Sequence, residues 1–70
     1  MKTTNLNIDD IFHVIYWNKP TDKQKKTVLN IIEDGNDEMG IATDICDYLE
    51  IERRGNRRAI YDILTMVNTD

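Results

Sequence analysis

Residues 40 to 67, Gly-Ile-Ala-Thr-Asp-Ile-Cys-Asp-Tyr-Leu-Glu-Ile-Glu-Arg-Arg-Gly-Asn-Arg-Arg-Ala-Ile-Tyr-Asp-Ile-Leu-Thr-Met-Val, decide the fold. Ile41, Ile45 and Leu49 fall on one face of a helix. Ile60, Ile63, Leu64 and Val67 recur at the i, i+3, i+4, i+7 spacing of a second buried stripe. Two short amphipathic helices joined by a turn have the outline of a helix-turn-helix, in which the first helix braces the second and the second offers its outer face to a partner. The second helix is entered through four arginines, Arg53, Arg54, Arg57 and Arg58.

Upstream of this pair the same period continues. Ile8, Ile11, Phe12 and Ile15 make a stripe with Tyr16 and Trp17 beside it, which predicts a helix from Ile8 to Trp17. Asn7 is the candidate N-cap, and Asp9 and Asp10 suit the positive end of the helix dipole. The segment Asn18-Lys19-Pro20 ends the helix, because a residue before proline is driven out of the α region. Thr21 followed by Gln24 is a capping box that opens a second helix carrying Val28, Leu29 and Ile32, with Gly35 as its expected left-handed stop. Asn36 to Gly40 reads as a polar turn, followed by a third helix from Ala42 to Leu49. A fourth, N-capped by Asn56 after Gly55, runs to about Val67. The expectation is one all-α domain of four helices spanning residues 1–70, with an ordered core from 6 to 67. The last three helices should form a helix-turn-helix-like trihelical core.

Seventy residues provide a small core: such a domain buries only about 60% of the surface its unfolded chain exposes. Cys46 is the only cysteine, so no disulfide supplements that core, and its expected role is a small apolar filler in a reducing compartment. The longest apolar run, Ile11 to Trp17, is interrupted by His13 and is too short to span a bilayer. Nothing near Met1 has the form of a secretory signal. An intracellular, cytoplasmic protein with no membrane partner is therefore expected.

Thirteen acidic and nine basic residues give a net charge of −4, but the distribution matters more than the sum. Eight carboxylates and no Lys or Arg lie between Glu33 and Glu52. The bases cluster at Lys19, Lys23, Lys25 and Lys26, and again at Arg53 to Arg58. An acidic belt between two basic ends is the expected surface.

The segment Ile41-x-x-x-Ile45-Cys46-x-x-Leu49-x-Ile51 is similar to the middle helix of winged-helix regulators. Arg57-Arg58-Ala59-Ile60-Tyr61-Asp62 resembles the recognition helix of the cell-cycle winged-helix transcription factors, which carries Arg-Arg-Ile-Tyr-Asp. Here Ala59 is inserted after the arginines, and only three residues follow Val67, too few for a two-stranded wing. The resemblance covers Thr27 to Val67. It implies a wingless trihelical core and assigns Arg57, Arg58 and Tyr61 to DNA.

From the residues themselves, arginine's planar fork grips phosphate or a guanine edge in bidentate fashion. Arg53, Arg54, Arg57, Arg58, Tyr61 and Thr65 are accordingly the candidate nucleic-acid contacts for a small regulator of transcription that binds double-stranded DNA. The competing reading is a solvated helix start whose arginines neutralise Glu50, Glu52 and Asp62. The acidic residues of the bracing helix, Asp44, Asp47 and Glu50, weaken an interaction governed by phosphate charge and suit a basic protein partner instead. The alternative function is thus a modulator or inhibitor of a nucleic-acid-handling protein, of the kind found among phage and mobile-element accessory proteins.

Catalysis is not expected. Serine is absent, His13 has no second histidine or cysteine beside it for a metal, and no glycine-rich phosphate loop is present, so no cofactor is implied. The lysine cluster reads as a solvated helix start. The surplus of large apolar side chains in the first helix, Ile11 to Trp17, suggests a homodimer seam.

Overall fold

The computed structural model describes residues 7–67, with the side chain of Val67 outside the description. Four helices follow one another: α1 (Ile8–Val14), α2 (Asp22–Asp34), α3 (Glu38–Leu49) and α4 (Asn56–Val67). No strand occurs among the described residues. The all-α expectation holds, and what determines each boundary is largely local chemistry.

Asn7 caps α1, its Oδ1 accepting the Asp9 N–H at 3.0 Å. The Thr21 capping box forms in full: Thr21 Oγ1 accepts the Gln24 N–H at 3.1 Å, and Gln24 Oε1 accepts the Thr21 N–H at 2.9 Å. That carbonyl oxygen also accepts Trp17 Nε1–H at 3.3 Å, which ties the α1–α2 turn to the first turn of α2. α3 starts earlier than the spacing of its apolar residues suggests. Asp37 is its N-cap, with Oδ2 accepting the Gly40 N–H at 3.0 Å, so Glu38 to Gly40 are helical where a polar turn was expected. Asn56 is not the cap of α4. It is the first helical residue, and its side chain donates backwards to the Glu52 carbonyl at 2.9 Å, while Gly55 at φ +80° makes the turn.

Two helices end in the same way, and neither uses glycine. At the end of α1 the Trp17 N–H donates to the Phe12 carbonyl at 2.9 Å and the Tyr16 N–H to His13 at 3.1 Å. At the end of α3 the Ile51 N–H donates to Cys46 at 3.0 Å and the Glu50 N–H to Asp47 at 3.2 Å. This is the Schellman arrangement, which requires a left-handed residue; Tyr16 and Glu50 both sit at φ 57°. In each case the next residue, Trp17 or Ile51, packs against the core, and that burial compensates the left-handed strain. So α1 stops at Val14, three residues before the expected end at Trp17.

Gly35, where the left-handed stop was expected, is extended at φ −83°. The reason for glycine there is contact rather than φ. A Cβ at this position would overlap Ile41 Cγ1 and lie 2.8 Å from Ile41 Cδ1, so its absence lets the end of α2 close on α3.

The core contains Ile11, Phe12 and Ile15 from α1 and its C-cap, Val28 and Ile32 from α2, Ile41, Ala42, Ile45, Cys46 and Leu49 from α3, and Ile60 and Leu64 from α4. Leu29 is only half-buried, and Ile31 and Ile63 pack against the core from its edge. α3 packs on α2 and α4, and α1 packs on the same two. The backbones of α2 and α4 do not come within 8 Å of each other, Cα to Cα. The last three helices thus do not close a core by themselves; α1 is its fourth wall. Of the apolar residues named for a dimer seam, Ile11 and Phe12 are at most 1% exposed and Ile15 is 7% exposed, so these three belong to the core. Tyr16 alone of that group lies outside, 93% exposed. No helix among the described residues is long and apolar enough to cross a membrane.

Candidate nucleic-acid interface

The four arginines enter α4 through the turn that Gly55 makes possible, and the structure divides them into two kinds. Arg53 folds back onto α3, its Nε donating to Asp47 Oδ1 at 3.0 Å and its Nη2 to Asp47 Oδ2 at 2.7 Å. Arg58 pairs along its own helix with Asp62, Nε to Oδ1 at 3.0 Å, and its guanidinium carbon lies 5.5 Å from the centre of the Tyr61 ring. Arg54 and Arg57 are exposed and make no side-chain hydrogen bond or ion pair among the described residues. The expectation that Glu50 and Glu52 neutralise the cluster is replaced by Asp47 together with Asp62.

The Arg53–Asp47 contact is a two-bond fork, which sets the electrostatics of this edge. The hydrogen bonds from Arg53 hold the Asp47 carboxyl below its ordinary 3.8, and the same bonds hold Arg53 more firmly protonated. The acidic residue of the bracing helix closest to the arginines is thereby neutralised. Beneath it, burial pushes the Cys46 thiol above its ordinary 9.0, with Asp47 adding to the effect and Arg57 and Arg53 opposing it. A fully buried, protonated thiol is a core filler and a poor nucleophile.

Two of the expected contacts on α4 are occupied differently from the sequence reading. Tyr61 was expected to face away from the core, but it is half-buried and packs against it, carrying Arg58 over its ring. Thr65 was expected to reach a phosphate, but its hydroxyl donates to the Asp62 carbonyl at 3.1 Å. The Thr65 bond is local to α4, three residues back along the helix, whereas the partial burial of Tyr61 comes from packing that periodicity does not reveal.

The acidic candidates do not form one bank. Asp47 belongs to the arginine edge, and Glu50 occupies the left-handed position that ends α3. Asp44 faces α2 and lines a cleft of about 280 Å³ with Thr27, Asn30, Ile31, Asp34 and Gly35. Asp34 was not singled out in the sequence; it reaches Asp44 only because Gly35 brings the end of α2 onto α3.

His13 is exposed, and no group of three or more potential metal ligands occurs among the described residues. Of the lysines, Lys25 pairs with Asp9 across α1 and α2 at 3.4 Å. No family model matches the chain, and no curated protein or solved structure matches it significantly.

Proposed function

We propose that this chain is a small regulator that binds double-stranded DNA through the start of α4, acting by binding rather than by catalysis. The observation that carries the reading is the pair Arg54 and Arg57, exposed at the start of the helix without a carboxylate partner among the described residues, beside an Asp47 already neutralised by Arg53. Phosphate approaching this edge meets two free guanidinium groups and the positive end of the α4 dipole. Arg53 and Arg58 are a reserve. Exposed ion pairs like theirs contribute only about 0–1 kcal/mol, so exchanging Asp47 or Asp62 for a phosphate costs little. Tyr61 acts through Arg58, whose guanidinium lies over the tyrosine ring, and Thr65 is the weakest of the expected contacts.

The test is a gel shift at ~50 mM salt, where even non-specific binders register. Arg54→Ala with Arg57→Ala should abolish the shift. The wild-type affinity should fall with a log–log salt slope of about −2 to −4, for two to four phosphates neutralised. Absence of any shift for the wild type refutes the reading.

A second reading is favoured by the α2–α3 cleft. Its lining includes Ile31, Asp34 and Asp44, which suits a basic segment of a nucleic-acid-handling protein and would make the chain a modulator of that protein. Asp34→Asn with Asp44→Asn should then release a partner co-purified from the native host, while the arginine variants keep it.

A further inference from the structure

Tyr16 is the least economical residue in the structure if only stability counts. It occupies a left-handed position, φ 57°, that glycine adopts without strain, and 93% of its surface is exposed. The burial of Trp17 offsets that strain, but the Tyr16 ring itself stays in solvent, where glycine would serve the turn without strain. Lys19, three residues on in the same turn, is also left-handed at φ 51°. Strained, exposed side chains on a turn that is otherwise firmly held are where binding groups concentrate.

This turn is firmly held. The Trp17 N–H bond to Phe12, the Trp17 Nε1 bond to Gln24 and the Thr21 capping box fix it between α1 and the first turn of α2. Along the chain from Tyr16 to Lys26 the charges are mostly positive. Lys19, Lys23 and Lys26 are exposed and make no ion pair among the described residues, whereas Lys25 is taken by Asp9. Asp22 is the only carboxylate between Ile15 and Lys26, and it sits in the first turn of α2 where the helix dipole already favours it.

We propose that the α1–α2 turn is a second nucleic-acid contact, in which the Tyr16 ring stacks on an unpaired base while Lys19, Lys23 and Lys26 hold the adjoining phosphates. A protein hot spot would need more apolar surface around the ring, and the other exposed large apolar residues, Tyr48 and Met66, belong to α3 and α4. A lone projecting aromatic among lysines matches the needs of single-stranded nucleic acid: a π-face for a base and cations for the backbone. The partner class is shared with the arginine edge, but the residues are different, so either site can fail without the other.

The experiment measures binding of a fluorescent fifteen-nucleotide oligothymidylate and of a random duplex at ~50 mM salt, with melting curves for every variant. Tyr16→Gly should leave the melting temperature unchanged or raise it, because left-handed strain is relieved. It should weaken oligothymidylate binding by roughly 5- to 150-fold, the equivalent of one stacked base, while duplex binding stays with Arg54 and Arg57. Tyr16→Phe keeps the ring and should bind as wild type does. Lys19→Ala with Lys23→Ala should flatten the salt dependence for the single strand. The proposal is overturned if the wild type does not bind the single strand, if Tyr16→Gly binds it undiminished, or if Tyr16→Phe loses as much as Tyr16→Gly. A Tyr16-dependent single-strand complex without any duplex shift supports this site and refutes the arginine reading.

Discussion

Gly35→Ala separates two explanations of one glycine. At φ −83° the backbone is open to any residue, so an alanine in free space would stabilise the protein by about 0.4–1 kcal/mol through the unfolded chain. The packing predicts the opposite sign. The new methyl would overlap Ile41 Cγ1 and lie 2.8 Å from Cδ1, against an ordinary carbon–carbon separation of roughly 3.5–4.0 Å. Ile41 is 1% exposed and lies in the core, where a displaced side chain presses on its neighbours. Overpacking of this kind costs about 1–3 kcal/mol. That is a large part of the roughly 4–10 kcal/mol expected for a chain of this length. The melting temperature should fall by at least about 4 °C, read by circular dichroism at 222 nm together with urea unfolding. Ile41→Ala alone should also destabilise, by about 2–5 kcal/mol, because it opens a cavity. In Gly35→Ala/Ile41→Ala the clash is gone, so adding the first substitution to the second should be neutral or favourable. The cycle should show a coupling of at least about 1 kcal/mol. A single Gly35→Ala variant that melts higher than wild type refutes the close-contact explanation, and with it the account of why the α2–α3 cleft is closed at that end.

Ile60→Ala or Leu49→Ala should cost about 2–5 kcal/mol, enough to leave so small a domain largely unfolded, since both side chains are in the core; wild-type melting would mean that the helix faces are wrongly assigned. For Asp47 the sign follows from its depressed carboxyl. The Arg53 pair contributes stability above the ordinary value of 3.8 and loses it as pH falls through the lower folded value. The stability difference between wild type and Asp47→Asn should therefore be constant from about pH 5 to 8 and shrink only in stronger acid. Urea midpoints that converge already between about pH 5 and 7 contradict the pairing.

The periodicity of the apolar residues located all four helices, and two of the three start signals, Asn7 and the Thr21–Gln24 box, act as their residue types dictate. What it could not supply was the left-handed geometry. Reasoning from glycine assigned the left-handed stop to Gly35, yet among the described residues left-handed φ values fall on Tyr16, Lys19, Glu50 and Gly55. The physical cause is tertiary. A Schellman turn aims the residue that follows it at the helix it has just left, and where that residue is Trp17 or Ile51 its burial offsets the strain of whatever precedes it. The useful signal was therefore the apolar residue one position later, not the glycine. Gly35 is the converse: its missing side chain answers to Ile41 on the next helix, six residues away and invisible to local pattern.

The same limit governs the candidate sites. Along the chain the arginine cluster and the acidic belt are separate blocks of opposite sign, and weighing DNA against protein meant weighing one block against the other. In three dimensions they interpenetrate, because the chain reverses at the left-handed Glu50 that ends α3 and Arg53 pairs with Asp47, while Arg54 and Arg57 make no ion pair among the described residues. Pairing lowers the count of usable arginines from four to two, and it also cancels the carboxylate that would have repelled phosphate most directly. The first effect costs little, since exposed pairs exchange readily, whereas the second removes a standing repulsion. The net charge of −4 thus gives little guidance about the local field at the start of α4, where four arginines stand with the paired Asp47 and Asp62 and follow Glu50 and Glu52 in the chain. Asp34 and Asp44, which make no ion pair among the described residues, line the α2–α3 cleft instead. A duplex at the start of α4 and a basic chain in the α2–α3 cleft therefore make demands on different faces of the same helix, and the two sets of substitutions can be read independently of each other.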